Sequence, residues 1–497
     1  MAENDYQRKK DHFRHCAGAP PAEAWRQASE AFAQVCRESG LNSVWRCRMN
    51  SAWVVCLYRG GAIDRTIAAK LLDAVDRVRA SNEPDGGSEQ SVIRALGGDE
   101  DLGSVMNYGR TLQEPMSRLF LRHRLLDVFE TIHDLMETVL DVADANVDTI
   151  MTAHTHFAHA QPITFAHYLL SVFDALNRGA EQTALAYKHV NRNSGGCGST
   201  SGTVWPVDRW LLTRLLGFDD LVEPTYDCEA SQDHSMSIAF AMSNIALLLT
   251  KVALDIEIWT TEEFDLFKVG PGYLGQSSFM PHKAHPGSRM ELVRVQADET
   301  LGEMMRATCF VKGEVHGDVL PICRVPGAAA DALAHTQLSM RFLKAFLKNI
   351  TPKKDRMLRI AAEGYSCSTE VVIHMVRDLG FGGRCAHRIT ATMVRMAREQ
   401  GIPANRATGA LLDAAADFVK ERAPRIKTET LRRLLDPVEF IKSHDNIGGT
   451  APEEARRMLT ERRDLIKKLR SDQKERKERI EKGDEVLKRE IEDILKG

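Results

Sequence analysis

Aromatic residues make up only 6% of this 497-residue chain, and charge of neither sign dominates: 66 lysines and arginines stand against 69 aspartates and glutamates. A formal net charge of -3 gives no basic field for nucleic acid, so a small anionic substrate would have to be captured by local groups. No C-x-x-C pair occurs, and the ten cysteines are scattered from Cys16 to Cys385. That argues against a disulfide framework or a zinc ribbon, and reads as reduced thiols in a cytoplasmic protein. The N-terminus, MAENDYQRKKDHFRHC, lacks the apolar centre of a signal peptide, and no uninterrupted apolar run reaches membrane length. The expectation is a soluble chain with no membrane partner. Strand-like alternation of Val, Ile and Thr is also missing, and the apolar periodicity that is present is helical nearly everywhere. The expected fold class is all-α.

Long helices are predicted from Pro115, Pro162 and Ser235, each with proline or serine at its start, and two more near Arg289 to Val311 and Ala328 to Lys348. Such lengths suit a long bundle. The Ser235 helix is apolar almost all round and should sit centrally. The Gly- and acid-rich stretch Ser81 to Gly98 reads as a loop, and Pro352 to Lys354 precedes shorter helices broken at Gly380 to Gly383 and at Pro403. We therefore divide the chain at 1–105, 106–355, 356–460 and 461–497. The last segment, from Glu461, carries charge of both signs and reads as a solvated helix or frayed tail, with too few heptads for a coiled coil.

Two stretches carry chemistry. Gly275-Gln276-Ser277-Ser278-Phe279-Met280-Pro281-His282-Lys283-Ala284-His285-Pro286 holds two hydroxyls and a lysine close together in a glycine-rich context. On residue types alone it is a surface loop whose serines cap the next helix. A serine hydrolase would need glycine where Phe279 stands. The second stretch, His154-Thr155-His156-Phe157-Ala158-His159-Ala160-Gln161-Pro162-Ile163-Thr164, puts three histidines within six residues. Read as helix, these spacings point the rings apart, and no H-E-x-x-H or cysteine pair completes a metal site.

The ordered Ser, Ser, Met, Pro, Lys and Pro of the first stretch resemble the signature loop of the aspartase/fumarase superfamily. Thr155-His156 with Ala160-Gln161-Pro162-Ile163-Thr164-Phe165 resembles the second signature of argininosuccinate lyases, as Gly448-Gly449-Thr450-Ala451-Pro452-Glu453-Glu454 resembles their closing segment. The resemblance runs from about residue 100 to 460. It implies three helical domains, with the long central helices of four subunits forming a twenty-helix bundle and each active site shared between subunits of a homotetramer. It further implies loss of an amine from an N-substituted aspartate with release of fumarate, and no metal or organic cofactor. The site must then remove a weakly acidic C–H proton and stabilise a dianionic, enediolate-like carboxylate. By the resemblance Ser277 is the base and Lys283 stabilises it and binds a substrate carboxylate. Thr155 and His156 hold the succinyl carboxylates, His156 also orienting or donating a proton, while Ser278, Met280 and Gln161 line the substrate.

Departures from the family pattern mark where specificity changes. The Ser-Arg-Asn triplet of the first signature is absent from Tyr108-Gly109-Arg110-Thr111-Leu112-Gln113-Glu114-Pro115, leaving Arg110 as the carboxylate ligand there. His285 replaces an asparagine with a titratable imidazole. Met290 stands where the glutamate partner of the signature histidine belongs, with Glu291 one residue later. Lys312-Gly313-Glu314-Val315-His316-Gly317-Asp318 does not keep the family's Tyr-Asn-Lys-Asp run at the guanidinium end. Alternative amines are those of ethylenediamine disuccinate, nitrosuccinate or hydrazinosuccinate, and a non-catalytic, crystallin-like scaffold is the reading from another class.

Overall fold

The computed structural model describes residues 43–81, 86–111, 115–270, 273, 275–276, 279–280, 282, 284–285 and 287–496, apart from the side chains of 275–276, 284–285, 287–289, 319–320 and 322–323. Among these residues the chain is all-α, with 18 α-helices and four two-stranded ribbons. In order these are α1 (Ser43–Arg59), α2 (Arg65–Ser81), α3 (Glu89–Ala95), α4 (Glu100–Ser104), α5 (Met116–Asp144), β1 (Ile150–Thr155), β2 (Ala158–Thr164), α6 (Phe165–Val190), β3 (Arg192–Asn193), α7 (Arg209–Leu215), β4 (Asp220–Leu221), α8 (Thr225–Ala230) and α9 (Asp233–Trp259). There follow β5 (Phe267–Val269), β6 (Gly275–Gln276), β7 (Ala284–His285), α10 (Gly287–Val311), α11 (Val319–Leu347), β8 (Ile350–Pro352), α12 (Lys354–Glu363), α13 (Ser368–Arg377), α14 (Gly383–Glu399), α15 (Gly409–Phe418), α16 (Thr428–Leu434), α17 (Pro437–Ser443) and α18 (Pro452–Lys496).

Five helices of 25 to 29 residues, α5, α6, α9, α10 and α11, form the bundle. At a rise of about 1.5 Å per residue each runs roughly 40 Å. Leu125, Phe129, Phe173, Leu176, Ile245, Leu249, Val293 and Phe346 fill its centre and are almost wholly buried. The central helix is α9, packed against α6, α10 and α11. Among the described helices it alone is long and apolar enough to cross a membrane, and 56% of that stretch is buried inside the bundle. A second core joins α1, α2 and α7 through Trp53, Leu57, Leu71 and Leu215, and a third joins α13 to α16 through Val371, Ile389, Leu412 and Leu431.

Two expectations are corrected here. The Ser81 to Gly98 loop contains a helix, α3, whose start is capped by Ser88 accepting from the Ser91 N–H at 3.2 Å. The charged tail is not frayed, and its helix is solvated on only part of its surface: α18 continues for 45 residues along α5, with an apolar stripe buried and its charged faces exposed. Leu459, Ile466, Gln473, Ile480, Leu487 and Ile494 recur every seven residues, and all but the partly buried Ile480 are at most 7% exposed. This is a heptad seam whose partner lies within the same chain. Its flank is a charge ladder of the same period. Arg463 pairs with Asp141 and Asp144 at 3.1 Å, Arg470 with Asp134 and Glu137 at 2.8 Å, and Lys477 with Glu130, so the two helices run antiparallel. Leu487 and Ile494 then enter the core built by α1 and α2.

Candidate active site

The three histidines of the second stretch lie on a hairpin, not on a helix. Helix α5 ends at Asp144, and Asn146 and Thr149 turn the chain: the Thr149 hydroxyl donates to Asn146 Oδ1 at 2.8 Å, and the Phe165 N–H donates to the Thr149 carbonyl at 2.8 Å. Thr164 then caps α6, accepting from the His167 N–H at 3.0 Å. Between these anchors β1 and β2 pair antiparallel with Met151 opposite Ile163, His154 opposite His159 and Thr155 opposite Ala158, and with an irregularity between Thr152 and His154. Period-two alternation replaces the helical spacing, so His154 and His159 meet edge to face at 5.2 Å while His156 occupies the turn.

That turn is strained. His156 and Phe157 have φ of 53° and 56°, the left-handed pair that a two-residue hairpin loop requires and that Asn and Gly fill at least cost. Phe157 is 89% exposed, so no burial compensates. Thr155 and His156 are likewise exposed at the tip. The hairpin stands between two cavities. One, of about 670 Å³, faces the α12–α13 corner and includes Gln161, whose amide donates to Thr369 Oγ1 at 3.3 Å. The other, of about 400 Å³, faces the bundle and is walled by Thr152, His154 and His156 with Tyr168, Asp255 and Trp259.

Ser277, Ser278 and Lys283 lie outside the described residues, as does the side chain of His285. What surrounds them is clear: β6 and β7 pair with Gly275 opposite His285 and Gln276 opposite Ala284, so the loop leaves and returns at one point. Phe279 and Met280 are exposed at 89% and 38%. Directly after it α10 turns Met290 into the bundle core at 0% exposure and leaves Glu291 facing outward. Arg110 sits elsewhere. Its guanidinium is buried in the N-terminal core near the Trp53 ring, with Nε donating to the Met106 carbonyl at 2.7 Å and Nη2 donating to Asn50. In one protomer it is a structural residue holding α1 to the turn after α4, a place unlike that of an open carboxylate ligand.

Sequence reading passed over Tyr168 and Asp255. The Tyr168 hydroxyl donates to Asp255 Oδ2 at 2.7 Å, and burial raises the pKa of both groups above their usual ranges. His154 and His159 titrate below an ordinary histidine, chiefly through burial. Nothing in the sequence flags the Tyr168–Asp255 pair, since 87 residues separate its members.

Comparison with known proteins agrees with this architecture. A family model described as "Lyase" matches residues 95–302. The argininosuccinate lyase of Methanococcoides burtonii is 31% identical over 384 residues, covering 76% of each chain. That of Methanocaldococcus jannaschii is 26% identical over 450 residues, 88% of this chain and 91% of the other. The solved structure of an EDDS lyase variant with bound fumarate superposes with a TM-score of 0.86 at 25% identity, covering 97% of both chains. The chain belongs to the aspartase/fumarase superfamily, in its argininosuccinate lyase family, and is a carbon–nitrogen lyase of argininosuccinate lyase type.

Proposed function

We propose that the protein eliminates an amine from an N-substituted aspartate and releases fumarate, and that the site is completed only between subunits of a homotetramer. The observation that carries this is the exposed hairpin tip. Thr155 and His156 are held by well-anchored strands at the cost of two left-handed residues, yet none of the described residues covers them. Strain of this kind persists where the surroundings over-determine it, typically at functional sites. A neighbouring copy is the natural cover, because α9 exposes Phe240, Leu247 and Leu254, at 54%, 46% and 44%, in one heptad-spaced stripe. Stripes of that kind mark association surfaces.

In this reading Ser277 takes the proton from the carbon beside the carboxylate, and the electron pair moves into an enediolate held by Lys283, Thr155 and backbone N–H groups of the loop. The C–N bond then breaks, and a proton passes to the departing nitrogen from His156 or a water it orients. Ser278, Met280 and Gln161 border the substrate, and Glu291, facing out of its own protomer, is offered to a neighbour's histidine. The substrate is a small dicarboxylate. The exposed turn at 312–318, where Tyr226 donates its hydroxyl to the His316 carbonyl at 2.5 Å, does not keep the family's Tyr-Asn-Lys-Asp run, so the leaving amine, arginine or another, is the choice that the substrate panel decides. We place the enzyme in the cytoplasm because the seven described cysteines form no disulfide, as a reducing compartment keeps them.

The test is fumarate formation by the purified tetramer from argininosuccinate, ethylenediamine disuccinate, nitrosuccinate, hydrazinosuccinate, adenylosuccinate, aspartate and malate, with Ser277→Ala alongside. Turnover of one substrate, abolished in the variant while helicity and assembly persist, is expected. Near-normal turnover in Ser277→Ala refutes the base assignment, and silence across the panel from a folded tetramer favours the scaffold reading.

A further inference from the structure

The cavity on the bundle side of the hairpin reaches His156 at one edge, but its other walls play no part in the chemistry above, and it has the composition of a built site. Its volume, about 400 Å³, suits a small molecule. The walls are aromatic: Tyr168 meets Trp259 edge to face at 4.9 Å, and Phe264 closes the side next to His154. Among the described residues Asp255, half-buried within it, has no ion pair, and it accepts a hydrogen bond from the neutral Tyr168 phenol. The nearest base, His154, is desolvated and titrates below its usual range, so it is neutral at pH 7 and does not balance the carboxylate. Thr152, 4% exposed, lines the cavity, and its hydroxyl oxygen is buried without a hydrogen-bond partner. A buried orphan hydroxyl costs about 1–3 kcal/mol unless something meets it.

We propose that this cavity binds a small organic cation, an N–H-bearing ammonium or guanidinium on a short aliphatic stem. Aromatic faces attract a cation and an unpaired carboxylate neutralises it. Its N–H groups can donate to Asp255 and to the Thr152 oxygen, and the stem covers the apolar wall of Met151, Ile163 and Ile258. The ligand would lie against the strand that leads into Thr155 and His156, with His156 at the edge of the cavity. Binding of the cation is measured directly, so its failure is distinguishable from failure of the proposed reaction.

The probe is n-butylammonium chloride titrated into the purified protein at constant ionic strength, with n-butanol as the neutral isostere, followed by calorimetry and by melting temperature together. Saturable binding of the ammonium, one per chain, and a rise in melting temperature are expected, with no comparable effect of butanol. Asp255→Asn keeps an acceptor for the Tyr168 hydroxyl, so the fold should hold while affinity falls roughly tenfold or more; Thr152→Val should weaken binding less. Absence of both heat and shift, equal binding of butanol, or unchanged affinity in Asp255→Asn would each overturn the proposal. So would dissociation of the assembly by Asp255→Asn, since the cavity would then be a socket for a basic side chain of another copy.

Discussion

His133 and His234 are 1% and 3% exposed, and each has ring nitrogen without a hydrogen-bond partner. Burial, reinforced by Arg470 and Arg476, pushes His133 down to about 4, and burial holds His234 well below its usual range. Both are neutral in the folded protein. As pH falls below 6.5 the unfolded chain takes up protons that the folded one refuses. For His133 stability is therefore complete above that pH and is lost between there and about 4, at roughly 1.4 kcal/mol per pH unit, and His234 adds a loss of the same sign. The urea midpoint at fixed protein concentration should fall accordingly, and His133→Gln should remove its share of the slope. At the hairpin turn, Phe157→Gly should stabilise by about 0.5–1 kcal/mol, because glycine takes the left-handed conformation freely and little burial is lost, whereas Phe157→Val should destabilise. Paired melting curves distinguish the two. At this scale the sequence was partly legible. The resemblance of two stretches to a family put Ser277, Lys283, Thr155 and His156 forward, whereas the His154–His159 contact needed a period-two register that three closely spaced histidines do not announce.

Among the elements, α18 makes the sharpest case. Gly483 meets Gly217 so closely that a Cβ on Gly483 would lie 2.6 Å from the Gly217 Cα, a backbone atom that cannot turn aside. Gly483→Leu should therefore unseat the end of α18 and cost about 1–3 kcal/mol or more. Hydrogen exchange should show lost protection around Leu487 and Ile494 while α5 and α9 keep theirs. The seam was in the sequence, at Leu459, Ile466, Ile480, Leu487 and Ile494, but it was hidden by Gln473 in the middle. That amide is satisfied by donating to the Leu126 carbonyl at 2.8 Å, an acceptor 347 residues away, which no local count of heptads could include. The long bundle helices were legible because periodicity over 25 residues outweighs local noise. Their ends were less so: β2 begins before Pro162, where the proline suggested a helix start.

For the whole molecule, the all-α class followed from periodicity, while the assembly followed only from resemblance, since one protomer holds Arg110, Thr155 and Glu291 in separate places. If the site is shared, Leu247→Glu on the exposed α9 stripe should dissociate the tetramer and abolish turnover, as size exclusion and fumarate release would show together. Mixing denatured Ser277→Ala and His156→Asn chains and refolding them should restore about a quarter of wild-type sites by random assortment. No recovery from a correctly assembled mixture would mean that both residues act from one chain.

The junction of α18 with the first helices also sets a clock on synthesis. Arg59 pairs with Glu490 at 2.6 Å across 431 residues of chain, and Leu487 and Ile494 complete a core that Trp53 and Leu57 begin. At about 5–20 residues per second, the first helices wait roughly 20–90 s after emerging before the residues that close their core have been made. A ribosome that stops early, or a protease that clips the tail, leaves the bundle intact but this core open. The core that the first helices begin is thus among the last parts of the molecule to close.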